Sequence, residues 1–177
     1  MTKIELLKAD AEYAYSDLMV ALEGVTEAQA WAVLPNLGPD YLHSDGSIHG
    51  LVHHIAGGKK INGSVCFRNT EFRWRDIYAD AQRIEPSWEK ALEYLAECHD
   101  YWMGSWADIT DDQLQEMRPT NWKTDRTVLE ILRIITLHDT YHGGQIAVVR
   151  YGAPESTAIP PSIADDVLKY CRDLPNW

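Results

Sequence analysis

The sequence predicts an all-helical chain folded as a four-helix bundle, and three observations predict it. Helix-start signals recur along the chain, and four long segments carry apolar residues at helical spacing. Alternating strand patterns flanked by tight Gly turns are scarce. The start signals are capping boxes, in which a Ser or Thr is followed three residues later by an acid or amide that closes the first turn. Thr2 with Glu5, Thr26 with Gln29, Thr110 with Gln113 and Thr127 with Glu130 fit the pattern, and Ser162 with Asp165 is a weaker version. With 177 residues the chain is expected to form a single domain over 1–177 with a core that needs no staples.

The first segment places Ile4, Leu7, Ala11, Ala14, Leu18 and Leu22 on one face and ends at Gly24. A second is expected to begin at Ser47 and carries Ile48, Leu51, Ile55, Gly58, Ile61 and Val65. The third follows Pro86 with Trp88, Leu92, Leu95, Trp102 and Trp106, whose spacing marks the tryptophans as core first. The fourth follows Thr127, carries Val128, Ile131, Ile135, Val148 and Val149, and stops at Gly152 before Pro154. Residues 33–46 and 70–85 read as long connections, and a short C-terminal helix is expected from Ser162 to about Asp173. Four amphipathic helices of this length make a bundle the economical architecture.

Composition removes several function classes. The net charge is −11, from 27 acidic and 16 basic residues, and such a chain is repelled by phosphate backbones and by acidic membrane surfaces. Arg68, Arg73 and Arg75 come closest to a basic cluster, but Glu71 and Asp76 interrupt it. Neither nucleic-acid binding nor membrane binding is therefore expected. The apolar runs are far shorter than the roughly 20 residues of a membrane span. The start Met1-Thr2-Lys3-Ile4-Glu5 carries no secretory pattern. Three widely spaced cysteines, Cys66, Cys98 and Cys171, fit neither a disulfide framework nor a Cys-based zinc site. A reducing cytoplasm is the expected location.

The histidines are the informative residues. His138 and His142 in HDTYHGGQ are spaced by four, which puts both rings on one helix face. Ile131 lies seven before His138 and Val149 seven after His142, so the face is apolar. Two polar rings in a core are costly unless satisfied, and a shared metal would satisfy both. The same pair also fits two core histidines hydrogen-bonded to carbonyls or carboxylates. An HD dyad of a phosphohydrolase is a poorer fit, because Asp139 lies about 100° round the helix from His138. An HExxH-like zinc helix also fits poorly, since the shorter Asp reaches a metal-bound water badly.

On the second helix, His54 shares the stripe of Leu51, Gly58 and Ile61, and periodicity selects it as the third ligand. His53 and His49 share a face with Ala56, Lys60 and Ser64 that is expected to be solvated. His99 falls between Leu95 and Trp102 on the third stripe and reads first as a core histidine, then as a partner behind a ligand, and last as a ligand.

GSIHGLVHHIAG, followed 84 residues after His54 by LHDTYHGGQI, resembles the DinB/YfiT-like superfamily of four-helix bundles. TDDQL at 110–114 resembles the loop before that family's last bundle helix. The resemblance implies one divalent metal, zinc or nickel, held by His54, His138 and His142 with positions left for water. It further implies a homodimer and a place among thiol transferases and isomerases that use a low-molecular-weight thiol. The family commonly has Arg where Gly143 stands, and bulkier residues where Gly57 and Gly58 stand, which leaves the substrate unspecified.

Three neutral His ligands leave a metal its full charge and an open position, the arrangement of a catalytic site. A water there would be drawn towards a neutral pKa, and a thiol would bind as thiolate, so a metal-dependent hydrolase or thiol S-transferase is expected. Tyr141 and Gln145 are the candidates to orient water or substrate, or, for Gln145, to fix a His tautomer. Asp139 is expected at the solvated helix surface. The competing reading is a non-catalytic metal-binding or stress-response bundle with a structural or vestigial site.

Overall fold

The computed structural model describes residues 1–33, 46–70 and 72–151. It contains the helices α1 (Lys3–Leu22), α2 (Glu27–Trp31), α3 (Ile48–Asn62), α4 (Trp74–Ala81), α5 (Trp88–Ser105) and α6 (Val128–Tyr151). A π-helical turn, Gly63–Phe67, extends α3, and a 3-10 turn, Asp111–Gln115, follows α5. Two-residue strands β1 (Met117–Arg118) and β2 (Arg126–Thr127) pair antiparallel immediately before α6. The expected C-terminal helix and Cys171 lie outside the described residues.

The caps form as the sequence predicts. Thr2 Oγ1 accepts from Glu5 N–H at 3.2 Å while Glu5 accepts from Thr2 N–H at 2.7 Å. Thr26 with Gln29 and Thr127 with Glu130 make their reciprocal bonds too, Gln113 accepts from Thr110 N–H at 3.1 Å, and Ser47 caps α3 through Gly50 N–H at 2.9 Å. The 70–85 connection, expected to be irregular, instead contains α4. Its start lacks a Ser or Thr cap; Asp76 accepts from the Arg73 N–H at 2.7 Å, a signal the Ser/Thr rule overlooks.

α1 packs along α6, and α3 packs against both α6 and α5, so the first bundle helix neighbours the last. α3 is the central element. It buries ten of its fifteen residues, because α2 and α4 cover the sides that the bundle leaves open. Two apolar clusters fill the bundle. One gathers Leu18, Leu22, Ile48, Leu51, Leu95, Ile146 and their neighbours, and the other Ile4, Trp102, Trp106, Ile131 and Ile135. Val148, placed on the buried stripe by the sequence reading, is 56 % exposed, and Ile146 takes the inward position. No described helix is long and apolar enough to cross a membrane.

Gly57 sets how close α4 comes. A Cβ there would lie 2.7 Å from Ile77 Cγ2 and 3.1 Å from the Trp74 ring, so no larger residue fits without moving α4. Gly57→Ala is therefore expected to destabilise by about 1–2 kcal/mol, despite the gain in helix propensity. Gly144→Ala, with no neighbour within 4 Å, is expected to stabilise by about 0.5–1 kcal/mol. Urea unfolding of the two variants should shift the midpoint in opposite directions; a gain for both would mean that α4 yields at no cost.

Candidate metal centre

Between the two apolar clusters lies a polar layer to which every bundle helix contributes. α1 supplies Glu12 and Tyr15, α3 supplies His54 and Lys59, α5 supplies His99, and α6 supplies His138, Asp139 and His142. At one side of this layer, His54 Nε2 lies 3.1 Å from His138 Nε2, which lies 3.0 Å from His142 Nε2. One nitrogen from each ring falls within 4.8 Å of the others. His142 is fully buried and the other two rings are half-buried.

Three mutually facing ring nitrogens fit a bound cation. His142 Nδ1 lies 2.6 Å from Gln145 Oε1, an acceptor, so the ring proton sits on Nδ1. A neutral His142 then presents a bare Nε2 lone pair to His138. The His138 Nε2 cannot satisfy both neighbouring rings with one proton or one lone pair. Ligand nitrogens of a tetrahedral site with metal–nitrogen distances near 2.0–2.1 Å lie about 3.3 Å apart, close to the separations here. Gln145 thus stands behind His142, in hydrogen-bond contact with its Nδ1.

A cavity of about 490 Å³ opens onto the three rings. Gly58 forms part of its floor, where a Cβ would lie 3.4 Å from His138 Cε1. The two glycines of α3 thus do different jobs: Gly57 admits α4, and Gly58 leaves room beside His138. Tyr141 lines the cavity with its ring against His142, at a centroid distance of 5.0 Å. The remaining walls hold residues that the sequence reading did not single out. Trp74 comes from α4, Asn62 from the end of α3, and Asn121, Trp122 and Arg126 from the segment joining β1 to α6. The Thr120 hydroxyl donates to Thr124 carbonyl at 2.7 Å and accepts from Trp122 N–H at 3.2 Å, which closes that segment into a compact turn. The turn-rich run PTNWKTD was the available signal. The tryptophans of α5 are core: Trp102 and Trp106 are each 1 % exposed.

Asp139 departs most from its expected place. It is 1 % exposed and pairs at 2.5 Å with Lys59, equally buried. The α6 stripe runs through Ile135, Asp139, His142 and Ile146, so Asp139 sits on its centre and His138 on its edge, facing α3. Burial pushes the Asp139 carboxyl above the usual carboxylate range, and the Lys59 ammonium opposes that shift. Lys59 also lies 5.4 Å from the centre of the Tyr15 ring, on which His99 stacks at 3.6 Å. His99 is a core histidine, as first expected, with its Nε2 3.3 Å from Glu12. Burial and the Lys59 charge hold its pKa below the ordinary value.

The face of His49 and His53 is not solvated as expected. Trp31 of α2 stacks on His49 at 3.8 Å, His53 faces Tyr94 of α5 at 5.6 Å, and Ala56 and Ser64 are buried. A single apolar stripe suits a helix covered on one side, whereas α3 is covered by α2, α4, α5 and α6.

A helical bundle with three inward histidines on its second and last long helices is the class of protein that fold and site define, with those rings as a candidate metal centre. The sequence model of the DinB superfamily matches residues 11–146, and this chain belongs to that superfamily. A crystal structure titled as the conserved protein of locus from Enterococcus faecalis shares the fold. Its TM-score is 0.64 at 17 % identity, covering 85 % of this chain and 96 % of that one. Among curated proteins, none matches this chain.

The buried pair yields a sharp expectation. Lys59→Met or Asp139→Leu alone leaves an unpaired buried charge and is expected to destabilise by about 3–5 kcal/mol. The double variant is expected to regain most of that loss, because an apolar pair can replace a buried ion pair at little cost. A denaturation double-mutant cycle would read this as a large coupling; additive losses would contradict the pairing.

Proposed function

We propose that this chain is a metal-dependent enzyme. His54, His138 and His142 hold one divalent ion, zinc or nickel, and the substrate is a small molecule that reacts with a thiol. The observation that carries this reading is the cavity opening directly onto the three rings, which leaves a coordination side facing a substrate-sized space. A closed structural site would have no such opening.

The bound metal would supply Lewis acidity, drawing a thiol to its thiolate form. The protein's own residues do the rest. Gln145 keeps the His142 proton on Nδ1 and its Nε2 lone pair inward. Trp74, Ile134 and Ile135 give the cavity apolar walls beside the rings. Tyr141, which lines the cavity, would donate a hydrogen bond to the electrophile. In the transfer, the thiol proton leaves to solvent and the sulfur forms a new carbon–sulfur bond. The leaving group departs with the electron pair of the bond that breaks. The thiol, rather than water, is favoured by the superfamily resemblance.

Protein purified without a His tag is expected to bind about one equivalent of zinc or nickel per chain, measured by elemental mass spectrometry. The His138→Ala, His142→Ala double variant should stay helical by circular dichroism and bind none. A folded wild type that takes up neither metal when supplied would sink the proposal. Gln145→Leu, which removes the acceptor behind His142, is expected to weaken zinc affinity about 10- to 100-fold. Competition with a chelating indicator would read this, and an unchanged affinity would show that Gln145 does not set the tautomer.

A further inference from the structure

The charge distribution around the cavity is the reverse of that over the chain. The protein carries 27 acidic residues and a net charge of −11. Yet the described residues lining the cavity include no Asp or Glu, and the one formally charged side chain among them is Arg126. Its place is fixed by β2, where it pairs with Arg118 across the two-residue ladder.

Its guanidinium is only loosely engaged. The nearest carboxylate is Glu130 at 3.8 Å, beyond hydrogen-bond distance, and Glu130 Oε2 is already committed to the Thr127 cap at 2.9–3.0 Å. Asn121, from the turn held by Thr120, lines the same cavity, and its buried Oδ1 has no hydrogen-bond partner among the described residues. The Trp74 and Trp122 indoles supply flat apolar wall beside these groups.

We infer that the cavity takes a small organic acid, whose carboxylate is received by Arg126 and whose apolar or aromatic body lies against Trp74 and Trp122. The planar fork of Arg suits a carboxylate, and a single cation suits a small acid better than a polyphosphate. The Asn121 amide would meet a hydroxyl or amide group of the same ligand. An acid at this site has its charged end at Arg126 and its other end towards the three histidines. This rests on reading the cavity as the substrate site, and Arg126 is then a specificity-determining residue.

Calorimetric titration of the zinc-supplied protein with phenylacetate, against the uncharged phenylacetamide, tests it. Phenylacetate is expected to bind at least about tenfold more tightly than the amide, and Arg126→Gln to remove that preference, as expected for a charged hydrogen-bonded contact. The same titration of the His138→Ala, His142→Ala variant separates the two readings. An Arg126-dependent preference that survives there supports the carboxylate site even if no metal binds. Equal binding by Arg126→Gln, with the preference lost only in the histidine variant, would mean that the acid ligates metal and would overturn the role of Arg126. Equal binding of acid and amide, or no saturable binding of either, would overturn the inference.

Discussion

The buried pair of Lys59 and Asp139 is the constraint on which the arrangement of this bundle turns. Both charges sit on the apolar stripes of their helices, and neither reaches water. Each would be costly to bury alone, so α3 and α6 must dock with these two residues opposite each other. A shift of one helical turn between the helices would leave both charges in apolar surroundings. Such a pair contributes little net stability over an apolar one, and its value is a fixed register.

That register places the histidines. Asp139 follows His138 directly, and Lys59 follows Gly58, whose missing side chain leaves room for the His138 ring. Once Lys59 meets Asp139, His54, one turn back along α3, comes opposite His138 and His142. The same layer continues through Tyr15 and His99, so α1 and α5 are tied to it by ring contacts. These buried polar and charged groups join neither of the two apolar clusters. The three-histidine cluster is the solvent-facing end of that layer and opens to the cavity.

Much of the helical architecture was legible because its signals are local. Capping boxes specify a start within four residues, and apolar spacing specifies a face within two turns. α4 was missed because its first turn is closed by Asp76 without a Ser or Thr cap. The histidine set was legible because the spacing of His138 and His142 fixes their shared face. The phase of the α6 stripe was harder. Adjacent positions 138 and 139 both border the core, and the spacing of His138 and His142 taken alone puts Asp139 outward. Counting from Ile135 and Ile146, with Lys59 on the α3 stripe as a partner of opposite sign, would have placed it inside.

The sequence by itself determined the four long helices, most of their buried faces and the three candidate ligands, since each depends on residues within a few turns of one another. Tertiary structure alone decided which faces of α3 are covered and which aromatic residues wall the cavity. It also brought Arg126 and Asn121 to the histidines. Those features arise where α4 and the turn before α6 meet the bundle. Such features join residues far apart along the chain, as Asn62 and Asn121, 59 positions apart, line the same cavity, and no local periodicity encodes them.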